Sequence, residues 1–158
     1  MDLSSGDDEL LMQKIAQDTE YKVKFSLTKN SIVNTVPNKS IGEFYHQRKR
    51  WASKGLFYKN RNLVIKLILI YLFYLGLIVQ PFLIVFYSTT FANTLLICIA
   101  IKFLLEYLIL KKGKRLLFSS LSLKWIPLAE LLQTPYIILA GLTGAFGNIH
   151  WKERKVKR

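Results

Sequence analysis

The chain has 158 residues, 51% of them hydrophobic, a mean hydropathy of +0.24 and a formal net charge of +13. That length suits one domain and excludes two of ordinary size. A chain both so oily and so basic is not an ordinary soluble domain. Its charges lie at the ends of apolar runs rather than along one polar face, which argues against a nucleic-acid partner and for a membrane protein with basic loops against anionic lipid.

The first residues, "MDLSSGDDELLMQ", are acidic and polar. They have no basic stretch followed by an apolar one, so they do not read as a signal peptide. Residues 1–6 read as a loop. "DDELLMQKIAQ" puts Leu10, Leu11 and Ile15 on one stripe with acids in the first turn, predicting a helix over about 7–17. "YKVKFSL" alternates, with Tyr21, Val23, Phe25 and Leu27 on one side and Lys22 and Lys24 on the other, which predicts a strand. "SIVNTV", ended by Pro37, predicts a second short one. Ser40 and Glu43 then form a capping-box pattern at the start of "SIGEFYHQRKRWASKG", a helix for which Gly55 is the expected C-cap. Gln47, Arg50 and Trp51 fall at i, i+3 and i+4, on one face of it.

From residue 63 to 87 the only charge is Lys66, and a second apolar run covers 91–110. Each is long enough to span a bilayer, and together they predict a transmembrane hairpin. The uncharged "YSTTFANT" between them would lie outside, with Lys59, Arg61 and the "KKGKR" of Lys111 to Arg115 on the cytoplasmic side. Residues 116–147 are apolar but interrupted by Lys124, Pro127, Glu130 and Pro135. The tail 148–158, with five basic residues and one acid, should also be cytoplasmic. This favours an interfacial helix near 116–132 and a re-entrant or shallow segment near 134–147 over a third complete span.

Cys98 stands alone in an apolar run, which excludes an intrachain disulfide and reads as a small hydrophobe. His46 and His150 are far apart, and no metal-ligand pattern is present. Lys102 and Glu106 sit at i, i+4 in the second span. Either they neutralise each other on a protein-facing side, or they form a polar patch facing a lipid-linked or saccharide acceptor.

Two motifs remain. Gly6-Asp7-Asp8 opens the first helix, where acids often serve only as caps. Gln47-Arg48-Lys49-Arg50-Trp51 stands just before the membrane runs, where a basic amphipathic helix often lies on lipid headgroups. In this order they resemble the C-terminal part of the membrane-bound family 2 glycosyltransferases, relatives of the cellulose, hyaluronan and poly-N-acetylglucosamine synthases. The "ASKG" after Trp51 is similar to many bacterial members. The tail resembles their closing Trp-Lys-Gly-Arg, with Glu153 in place of Gly.

The resemblance implies an α+β fragment over 1–61, the end of a GT-A-like catalytic domain, followed by the helical hairpin and interfacial or re-entrant helices over 62–158. It implies inverting transfer from a nucleotide-sugar to a polysaccharide or lipid-linked acceptor at the cytoplasmic membrane. Asp8 would be the general base, and Asp7 would support the site. Arg50 would meet the diphosphate leaving group, Gln47 would bond acceptor or phosphate, and Trp51 would underlie the acceptor sugar. The family's Asp-x-Asp motif, which holds a divalent metal (Mg or Mn) on the donor, is missing, so no cofactor is expected within this chain. The position of Met1 just before the acidic motif suggests an internal start or a broken frame. The chain is then expected to be inactive without the nucleotide-binding half, whether that is part of a longer enzyme or a separate subunit. The alternative is a small non-catalytic membrane scaffold or accessory subunit that grips lipid through its basic helix.

Overall fold

A computed structural model describes residues 7–55, 58–118, 120–147, 150–151 and 154–155. Five helices account for most of them: α1 (Asp7–Asp18), α2 (Ile41–Ala52), α3 (Arg61–Phe86), α4 (Thr90–Leu116) and α5 (Ile126–Phe146). Strands β1 (His150–Trp151) and β2 (Arg154–Lys155) make a two-residue antiparallel ladder, pairing His150 with Lys155 and Trp151 with Arg154.

The α+β expectation for residues 1–61 is overturned. Helix α1 forms, but neither 21–27 nor 31–36 becomes a strand; the latter instead opens within a short 3-10 turn at Lys29–Ser31. Tyr21 and Phe25 are each 79% exposed, so the apolar side of the alternating stretch is bare. Alternation specifies which side chains share a face, but a ladder needs a neighbouring strand to supply hydrogen bonds and cross-strand contacts. No such neighbour exists among the described residues.

The expected division of 116–147 into a helix near 116–132 and a separate segment near 134–147 is overturned as well. After a 3-10 turn at Leu123–Trp125, α5 runs unbroken from Ile126 to Phe146. Pro127 stands in its first turn, where no intrahelical N–H bond is lost, and the helix continues through Pro135. The expected hairpin helices are present and slightly longer than their apolar runs. Helix α4 takes in Lys111 to Arg115 as its last turns, where cations complement the dipole. Three helical stretches are thus long and apolar enough to cross a membrane: Arg61–Phe86, Thr90–Leu116 and Leu123–Phe146. Their composition is that of a multi-pass membrane protein.

The chain divides into two units. One comprises Met1–Ser26, Val36–Leu67 and Ala140–Arg158, and so holds α1, α2, the start of α3 and the last turns of α5. Within it, α2 rests on the end of α5. Tyr45 Oη and Thr143 Oγ1 hydrogen-bond at 2.7 Å. A Cβ on Gly144 would fall 2.8 Å from the Lys49 carbonyl oxygen and 2.9 Å from the Ala52 Cβ, so the two helices touch backbone to backbone. The other unit comprises Leu27–Thr35 and Ile68–Leu139. There α3, α4 and α5 are joined by side-chain hydrogen bonds, including one from Tyr71 Oη to the Ile138 carbonyl at 3.4 Å.

Candidate functional site

Helix α2 starts as its sequence requires. The Ser40 hydroxyl accepts from the Glu43 N–H at 3.1 Å, and the Glu43 carboxylate reaches back to the Lys39 N–H at 2.8 Å, one residue before the usual capping-box partner. Its end differs from expectation. The cap is Ser53, whose N–H bonds the Lys49 carbonyl, and not Gly55.

The helix has two functional sides. Tyr45, Lys49, Ala52 and Ser53, at i, i+4, i+7 and i+8, form the side that meets Thr143 and Gly144. Gln47, Arg50 and Trp51 lie on the opposite side, as their spacing predicts. Gln47 Oε1 accepts from Asn38 Nδ2 at 3.1 Å, which tethers it to the segment leading into the helix. Trp51 is 46% exposed. Arg48 stacks between two rings, its guanidinium 4.6 Å from the Trp51 ring centre and 4.8 Å from that of Phe44. Arg48 was no more than a member of the motif in the sequence; its 44–48–51 spacing is the signal that pairs it with both aromatics.

Asp7 and Asp8 begin α1, but their side chains lie outside the described residues, as does Gly6 altogether. The tail's Glu153 lies outside them too.

Lys102 and Glu106 do pair, at 3.0 Å, in the second unit. They are part of a larger cluster. Lys102 Nζ also forms an ion pair with Glu130 of α5 and donates to Gln133 Oε1 at 2.8 Å. Tyr74 of α3 donates its hydroxyl to Glu106 at 3.3 Å, and its ring centre lies 5.5 Å from the Lys102 ammonium. Lys102 is only 7% exposed. Lys102 and Glu106 of α4 and Glu130 of α5 thus converge instead of scattering. Glu130 read in the sequence as an interruption of an apolar run. The rule that singled out Lys102 and Glu106, that ionisable residues in membrane helices have partners, applies equally to it.

Among the described residues, no group of three or more His, Cys, Asp or Glu could hold a metal. The chain matches no model of a known family, no curated protein and no solved structure.

Proposed function

We propose that this chain supplies the acceptor side and the membrane helices of an inverting glycosyltransferase of the membrane-bound family 2 type. The observation that carries the reading is that Gln47, Arg50 and Trp51 share the side of α2 turned away from its seat on α5, directly ahead of the membrane helices. Arg50 offers a planar cationic fork to the diphosphate leaving group, whose charge grows in the transition state. Trp51 presents an indole to the C–H face of the acceptor sugar. Gln47, held by Asn38, positions acceptor or phosphate. Asp8 takes the acceptor proton as the new bond forms, with Asp7 supporting it. The donor is a nucleotide-sugar and the acceptor a polysaccharide or lipid-linked saccharide. Nucleotide binding, with its divalent metal, would fall to a nucleotide-binding half in the same enzyme or a partner subunit. The reaction takes place at the cytoplasmic face of the inner membrane, where the positive-inside rule puts α2 and the basic segments.

A second reading is favoured by one observation. Arg48, stacked on Phe44 and the half-exposed Trp51, makes the cationic and aromatic surface of a helix that lies on anionic headgroups. Such a scaffold has no use for Asp8 and tolerates any residue at Gln47 or Trp51 that keeps α2 basic and amphipathic.

Asp8→Asn and Arg50→Ala, introduced at the native locus, separate the two. Transfer from labelled nucleotide-sugar into membrane-bound acceptor is expected to fall by about 100-fold or more in each, with unchanged amounts of chain in the membrane. Full transfer in both variants ends the glycosyltransferase reading in favour of the scaffold.

A further inference from the structure

The polar cluster of the second unit has an unbalanced charge. Lys102 contributes one positive charge and Glu106 and Glu130 two negative ones when all are ionised. The ammonium is already saturated, with its three N–H donors matched by Glu106, Glu130 and Gln133. The Tyr74 ring and hydroxyl from α3, which meet Lys102 and Glu106, bring no further cation. The nearest further cation in sequence on α5's side is Lys124, whose ammonium lies 5.4 Å from the centre of its neighbour's ring, Trp125. On α4 the next cations begin at Lys111.

The cluster is also deep. Lys102 is twelve residues from the start of α4 (102 − 90) and nine before Lys111, where its cationic last turns begin (111 − 102). At about 1.5 Å per residue this puts it roughly 18 Å from one limit and roughly 14 Å from the other, near the middle of a hydrocarbon core about 30 Å thick. An uncompensated charge there is costly. The decisive contact is that Glu106 and Glu130 both pair with the one Lys102 ammonium, which can balance only one of them. Two carboxylates that share one cation in an apolar setting repel each other, and a proton on one of them removes the excess charge.

We propose that the Lys102–Glu106–Glu130 cluster is a proton-binding site, holding one proton shared between the two carboxyls among the membrane helices at neutral pH. One carboxylate pairs with Lys102, and the proton, taken from water, converts the other into a neutral acid that donates to the first. The two titrate as a unit. Loss of the proton leaves a net negative charge between α4 and α5. The proposal is independent of the sugar-transfer reading.

Infrared spectroscopy of the full chain in lipid bilayers at neutral pH tests it. Exposed carboxyls are ionised under these conditions. The unmodified chain should show the C=O stretch of one protonated carboxyl, shifted in D2O. Glu106→Gln and Glu130→Gln each leave one carboxylate against Lys102, so each should lose the band. Lys102→Met removes the positive charge and should double it. Absence of the band in the unmodified chain, or its survival in both Gln variants, overturns the proposal. Helical circular dichroism checks the fold of each variant, and the two charge-balanced Gln variants decide if Lys102→Met does not fold.

Discussion

A single missing methyl group lets α2 sit on α5. At Gly144 any Cβ would press on the Lys49 carbonyl at 2.8 Å, the Ala52 Cβ at 2.9 Å and the Ser53 nitrogen at 3.1 Å. Two of those three are backbone atoms, which cannot swing aside as a side-chain tip can. Gly144→Ala should therefore displace α2 and destabilise the first unit by about 1–3 kcal/mol, the usual range for overpacking. Gly76, within α3, has nothing within 4 Å of its would-be Cβ. Gly76→Ala should be neutral or stabilising by up to about 1 kcal/mol, since alanine is the better helix former. Thermal unfolding in detergent compares them: the first variant should melt lower than the parent and the second no lower. Arg48 shows a different residue-scale effect. Its place between Phe44 and Trp51 holds the indole in a fixed attitude, whichever ligand the exposed part of that ring meets.

At the scale of elements, local rules were legible where the element supplies its own partners. The Ser40 cap of α2 was readable from four residues, and it is present. Ser40→Ala should cost about 1 kcal/mol and speed exchange of the Glu43 amide hydrogen, to which the hydroxyl is bonded; unchanged protection would show that tertiary contacts alone hold the first turn. The hairpin helices were legible for the same reason, since a helix satisfies its backbone internally and needs only length and apolarity to suit a membrane. Tyr21 to Leu27 illustrates the opposite case. Its alternation is real, but a strand borrows its hydrogen bonds from another segment, and the described residues do not lend any. Helix α5 was obscured by Pro127, Glu130 and Pro135, each of which reads locally as a break. Pro127 is harmless in a first turn, and Glu130 is matched by Lys102, 28 residues earlier in the chain. That separation is why the carboxylate looked like an interruption: its partner lies on another helix. The side that seats α2 on Gly144 was equally hidden, because no short-range pattern marks a glycine as a contact between distant segments.

For the whole molecule, charge predicts the side of the membrane to which each polar segment belongs. Lys59 and Arg61, the five residues from Lys111 to Arg115 and the basic tail all favour the cytoplasm by charge. The seat of α2 on Thr143 and Gly144 puts the end of α5 on whichever side α2 lies. With Cys98→Ser as background, Lys155→Cys should react with a membrane-impermeant maleimide in inverted vesicles and not in right-side-out ones. The reverse pattern would place the tail outside and overturn the assignment.

The same seat has a consequence for how the molecule is made. Tyr45 and Thr143 are 98 residues apart. A ribosome adding about 5–20 residues per second takes roughly 5–20 s to cover that distance. Throughout that interval α2 has left the exit tunnel with Tyr45, Lys49, Ala52 and Ser53 facing nothing, while α3 and α4 are being handed to the membrane. The first soluble helix to carry the Gln-x-x-Arg-Trp residues is therefore among the last to find its place, and its assembly waits on the synthesis of the final apolar segment.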